Sequence, residues 1–267
     1  MSTYEDYADA SGHYDTSRVQ VGVEILLGAM ATGPAPLEGT HVLDAGCGTG
    51  SFSVALAPHV GALTLLDANP EMLAVAEAKL GSTPGVPPFE TVEGHLQELP
   101  FDDACFDAVM TNQVLHHLGD PDGEAWPQHG RVFAEYARVL RPGGVLSVNT
   151  TSEEQIRHGW WAFSLIPDAV EEMVHRYAPL ELIEQLMEVT GLTLAGRFVP
   201  VTATIQGDSY LDLDAPLSYA WRRWDSTWSL STDEEIEAAE ETLTDLRARW
   251  ALKDYVAEHD VRRPTIG

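Results

Sequence analysis

The chain has 267 residues, of which 44% are hydrophobic and 21% charged, a composition expected of a soluble globular protein with one core and insertions. Its 42 acidic residues against 15 basic ones give a formal net charge of −27, a surface that repels phosphate backbones and anionic membranes and argues against nucleic-acid or membrane partners. No stretch approaches the ~20 apolar residues that span a bilayer, and the acidic start MSTYEDYADA is expected to be neither a signal nor a transit peptide, which makes the cytoplasm the expected location.

The predicted elements follow in order. Residues 17–31, SRVQVGVEILLGAMA, carry Val19, Val23, Leu26, Leu27 and Met30 at helical spacing, and Gly33, Pro34 and Pro36 end that helix. HVLDA (41–45) is a short buried strand, and SFSVALAPHV a helix stopping near Pro58. ALTLLD (62–67) is a second strand. Asn69 then caps a helix with Pro70 at its first position, running through Met72, Leu73, Val75 and Ala76 to Gly81. FETVEG supplies a third strand near 89–93 and CFDAVMT a fourth near 105–111. A helix spans roughly 127–140, closed by RPGG as a helix stop, and VLSVNT (145–150) is a fifth strand. Strands alternating with helices in this way imply parallel βαβ units and a doubly wound α/β sheet.

After residue 150 the rhythm breaks. Residues 151–178 show no clear period, 179–190 form a helix, LTLAGRFVPV reads as a sixth strand, and VTATIQ (201–206) as part of a closing hairpin. Residues 207–230 are loop-like. STDEEI then opens a helix with a capping box from Ser231 to Glu234, with Ile236, Leu243, Leu246 and Trp250 as its apolar face. The two cysteines, Cys47 and Cys105, form neither a disulfide framework nor the paired spacing of a zinc site. Lys79 and Lys253 are the only lysines, a bias resembling proteins of salt-rich cytoplasms as much as the product of a biased genome.

Between the first strand and helix, DAGCGTG places glycines at 46, 48 and 50. Bare backbone at a helix start suits an anionic or carboxylate-bearing ligand. A dinucleotide needs G-x-G-x-x-G, but Gly48 is followed at +3 by Ser51, which counts against a nucleotide-cofactor oxidoreductase. The stretch resembles instead the first motif of class I S-adenosylmethionine-dependent methyltransferases of the small-molecule kind, on Asp44, Gly46, Cys47, Gly48 and Gly50. LLDANPEML, EGHLQELPFDDACFDAVMTNQVLHHL and RVLRPGGVLSV continue the resemblance in order over 41–150. It implies a Rossmann-like, doubly wound, mostly parallel seven-stranded sheet with helices on both faces and an inserted cap, and S-adenosyl-L-methionine as cofactor, with S-adenosyl-L-homocysteine as product.

Residue by residue, the resemblance places Asp67 on the ribose hydroxyls, an acid with no packing role at its strand end, with Ala68 beside it. Met72 falls on the adenine, and His95 and Leu96 on the adenine edge, where the family usually has Asp in place of His95. Thr111, Asn112 and Gln113 fall beside the methionine part, and Cys47 is a filler whose backbone matters. Asp44 either caps the turn or touches the ligand.

Methyl transfer from a sulfonium is an in-line displacement, so alignment supplies much of the rate and a base is needed only for a protonated acceptor. His116 and His117 are the candidate catalytic bases; where the similar ubiquinone-pathway O-methyltransferases have a metal-holding Glu-x-x-Glu-His, this chain has Gln113, His116 and His117 without either carboxylate, so no metal site is expected. Residues 1–40 are expected to form an N-terminal helical lid in which Tyr14 closes over the cofactor, 41–150 the cofactor core, 151–178 and 207–267 the substrate-recognition cap, with 179–206 returning to the core. Of the tryptophans beyond 150, Trp160 and Trp161 are the expected pocket walls for an apolar or aromatic acceptor, and Trp250 is expected in the core. A cofactor-binding protein without turnover is the remaining alternative.

Overall fold

The computed structural model describes residues 20–119, 126–199, 212, 214–222 and 225–259. Tyr14, Trp224 and the hairpin residues 201–206 lie outside them. The described residues divide into two compact units, one built from those within 20–150 and 180–198 and the other from those within 151–179 and 199–259.

The first unit is a parallel sheet of β1 (His41–Ala45), β2 (Ala62–Asp67), β3 (Phe89–Glu93), β4 (Phe106–Asn112) and β5 (Leu140–Asn149), in the order β3-β2-β1-β4-β5. Parallel strands covered by crossover helices read as nearly continuous apolar runs, and Val42, Leu43, Leu63, Leu65, Leu66, Val109 and Met110 are each 1% exposed or less. Against them lie α1 (Val23–Met30), α2 (Ser51–Leu56) and α3 (Pro70–Ser82), which contribute Leu26, Met30, Leu56, Ala76 and Leu80 to one core cluster. Asn69 caps α3 as its sequence predicts, its side-chain oxygen accepting from Glu71 N and Met72 N. Helix α4 (Pro127–Val139) buries Val132, Phe133, Tyr136 and Val139 and packs against β5 and α7 (Leu180–Val189).

Three expectations fail here. The sheet has five strands among the described residues, not seven. Of residues 192–201, read as a sixth strand, the described 192–199 make no ladder, and Phe198 and Val199 stay exposed. RPGG is more than a helix stop: β5 begins at Leu140, and its register with β4 slips between Phe106 and Ala108, so Arg141–Gly144 bulge within the strand. Arg141 holds the bulge through a 2.7 Å ion pair to Asp107, whose other carboxylate oxygen accepts from His41 N at 2.9 Å.

The second unit centres on tryptophan. Trp160, Trp161 and Trp228, all 1% exposed or less, pack with Ile156 of α5 (Glu153–His158), Val170 and Met173 of α6 (Pro167–Val174), Trp221 of α8 (Tyr219–Arg222), and Leu243 and Leu246 of α9 (Asp233–Ala248). Trp160 and Trp161 are therefore core, not pocket wall. Trp250, expected in the core, is 94% exposed, because α9 stops at Ala248 and Trp250 turns left-handed at φ +54°. The capping box sits one residue later than expected: Thr232 caps α9 and Glu235 returns the bond. Glu235 also accepts from Asp168 N and Ala169 N at the start of α6, a tie from a distant helix that favours this register.

Candidate functional site

The strand order reverses between β1 and β4: the chain steps one way through β2 and β3, then returns past β1 to β4 and β5. At such a switch point the connections leave in opposite directions and open a crevice at the carboxyl ends of the strands. Onto this edge the fold brings Gly46–Gly50 after β1, Asp67–Asn69 after β2, Gly94–Leu96 after β3, Asn112–His117 after β4, and Asn149 at the end of β5.

The glycine turn folds back over β2, with Gly46 N and Cys47 N both donating to Leu66 O at 2.8 and 3.0 Å. Gly46 has φ +80°, and a Cβ there would lie 2.7 Å from Val114 Cγ2, so this position admits only glycine. Gly48 differs: at φ +52° it has no neighbour within 4 Å of the place a Cβ would take. Its backbone therefore faces open space. Its N–H donates to Asp67 Oδ2 at 2.8 Å, and Asp67 Oδ1 accepts from Asn69 N at 2.9 Å. Asp67 thus has the structural role the sequence reading denied it, tying the first turn to the second. Gly94 N donates to Asp67 O at 3.0 Å, which brings the exposed His95 and buried Leu96 to the same edge.

Asp44 lies in the central strand, 1% exposed, its Oδ2 accepting from Ser53 Oγ at 2.7 Å. Burial pushes its carboxyl up to about 7, the Ser53 hydrogen bond opposing and the Asp67 charge adding. Burial likewise pushes the Cys47 thiol well up, with Asp44 and Asp67 adding, which disfavours the nucleophilic thiolate. Met72 is buried on the first turn of α3, and Ala68 is half-buried. At the end of β4, both amide atoms of Asn112 are buried and make no hydrogen bond among the described residues, an arrangement that calls for an explanation. Gln113 follows, at φ +53°. His116 is buried and His117 half-buried in the single turn Leu115–His117, their rings 4.0 Å apart.

Ser53, Val114 and Asn149 also shape this edge and escaped the sequence reading. Ser53 had a faint signal, a polar residue three positions beyond the last glycine; the other two had none.

If the open face of Gly48 receives a ligand, Gly48→Ala should cost about 1 kcal/mol in stability for the left-handed backbone and, separately, weaken S-adenosylhomocysteine binding about tenfold. Equal affinity of variant and wild type in titration calorimetry would place the ligand elsewhere.

Residues 43–148 match the family described as "Methyltransferase domain". The demethylmenaquinone methyltransferase of Listeria welshimeri is 35% identical over 126 residues, 46% of this chain and 49% of that protein. The chain thus spans about half the length of the curated relatives it matches. Among solved structures, a protein described as a methyltransferase from an antibiotic biosynthesis pathway of Anabaena variabilis superposes with a TM-score of 0.63 at 20% identity, over 86% of this chain and 89% of its own. A SAM-dependent methyltransferase of Aquifex aeolicus gives 0.52 at 19% identity, over 71% and 91%. These two share the fold, and the sequence motif, the sheet order and the matched profile agree on a methyltransferase domain at residues 43–148.

Proposed function

We propose that the protein transfers a methyl group from S-adenosylmethionine to a small-molecule acceptor at O, N, S or C, leaving S-adenosylhomocysteine. The observation that carries this reading is the open face of Gly48 with Asp67 bonded to its N–H, backed by the unpartnered amide of Asn112 at the same sheet edge. Those groups fit the cofactor. Asp67 keeps lone pairs for two ribose hydroxyls, since a carboxylate offers about four acceptor sites and the turns use two. His95, Leu96 and Met72 take the adenine. The backbone of Gly46–Gly50, with Cys47 among them, Asn112 and Gln113 take the methionine end, and Asp44 stands behind the turn. When bound, S-adenosylmethionine supplies a methyl group made electrophilic by its sulfonium. The chain's own contribution is to hold and align, with His116 or His117 accepting a proton where the acceptor brings one.

The second unit provides acceptor recognition in this reading. The Listeria relative is named for demethylmenaquinone, and an apolar or aromatic acceptor is the reading here too. The net charge of −27 speaks against a nucleic-acid substrate. No helix among the described residues is long and apolar enough to cross a membrane.

Calorimetry with S-adenosylhomocysteine and with NADH, followed by an acceptor screen using labelled donor, tests the proposal. Binding of the first and not the second is expected, with label transferred to an apolar ring compound; the reverse preference would return the oxidoreductase reading, and binding without transfer to any acceptor would favour a protein without turnover. His116→Ala and His117→Ala should leave S-adenosylhomocysteine affinity within about twofold. A large loss would mean that the histidines shape the donor site instead of serving the acceptor.

A further inference from the structure

Gln113 has a left-handed backbone, φ +53°, although it carries a full side chain. That conformation costs such a residue about 1–2 kcal/mol and persists where the surroundings over-determine it. Two hydrogen bonds to one residue of the neighbouring strand do so. Gln113 N donates to the main-chain oxygen of Asn149 at 2.8 Å, and Gln113 Nε2 donates to Asn149 Oδ1 at 3.2 Å. Asn149 is the last residue of β5 and pairs in register with Asn112.

The next residue shows what this hold achieves. Val114 comes back against the glycine turn, close enough that a Cβ on Gly46 would lie 2.7 Å from its Cγ2. The connection after β4 is thus pinned at two points, to β5 through Gln113 and to the β1 turn through Val114. Between the pins and the strand sits Asn112, with its buried, unpartnered amide.

We propose that Asn149 is a positioning residue for the donor site: by holding Gln113 left-handed, it seats Val114 on the glycine turn and fixes where the Asn112 amide is presented. The inference rests on the donor-site reading above. It extends that site to β5, a strand none of whose residues the motif reading had assigned to it.

The test is a double-mutant cycle read by S-adenosylhomocysteine calorimetry and donor KM on the full chain. Asn149→Ala removes the side-chain acceptor, a neutral hydrogen bond, and should weaken binding about fivefold and raise donor KM similarly, with kcat at saturating donor near wild type. Asn149→Asp keeps an oxygen at that position and should recover most of the affinity. Gln113→Gly relieves the backbone strain; whatever it costs alone, adding Asn149→Ala in that background should change affinity by less than twofold. Additive losses in the cycle, or a loss that Asn149→Asp does not rescue, would overturn the positioning role in favour of general packing. Wild-type binding with no change in Asn149→Ala overturns this proposal alone, whereas no wild-type binding overturns the donor-site reading and this proposal with it.

Discussion

Asp67→Ala is expected to weaken S-adenosylhomocysteine binding at least thirtyfold, about 2 kcal/mol. Two losses combine. The ribose hydroxyls lose a charged acceptor, whose hydrogen bonds are stronger than neutral ones. The glycine turn also loses the tether from Gly48 N to Asp67 Oδ2, so the turn must be ordered by the ligand itself. Asp67→Asn separates the two effects. Its single amide oxygen can serve Gly48 N or Asn69 N but not both, and its NH2 faces whichever donor remains. Partial recovery is therefore expected, with affinity between those of alanine and aspartate. Unchanged affinity in Asp67→Ala would sink the assignment of the ribose to the end of β2.

That dual role marks the limit of what the residues alone disclose. The four strands β1–β4 and helix α3 were legible because buried parallel strands are apolar runs, and because Asn69-Pro70 is a helix start written in adjacent residues. The positions along the carboxyl edge followed from their order. What was not legible depends on contacts between distant parts of the chain. Ser231 and Thr232 are both good caps with Glu three residues on, and it is Glu235, reaching to the start of α6, that decides between them. Trp250 continues the helical spacing of Leu243 and Leu246, yet the helix ends before reaching it. Trp160 and Trp161 sit in an aperiodic segment that offers no face to read, and three-dimensional packing alone makes them core. Asn149 carries no motif; its bonds to Gln113 cross 36 positions of sequence.

Asp44→Asn is expected to change the pH dependence of folding stability more than any other substitution at this site. An unfolded aspartate titrates near 4, whereas burial pushes Asp44 up to about 7 in the folded chain. Between those values the unfolded state has released a proton that the folded state keeps, so raising the pH favours unfolding. The contribution is fully present below about pH 4 and is lost as pH rises through 7, roughly 4 kcal/mol in all. Asparagine does not titrate, and its amide oxygen can still accept from Ser53 Oγ, although its buried NH2 then needs a partner at a cost of about 1–3 kcal/mol. The variant should therefore be less stable than wild type in acid and should overtake it above neutrality. Other carboxylates titrate in both proteins and cancel in the difference. Chemical denaturation from pH 5 to pH 8 should show the stability difference between variant and wild type moving by about 3 kcal/mol in the variant's favour. A difference that stays flat across this range would mean that Asp44 is ionised throughout, held by a cation or donor that the turn provides on folding.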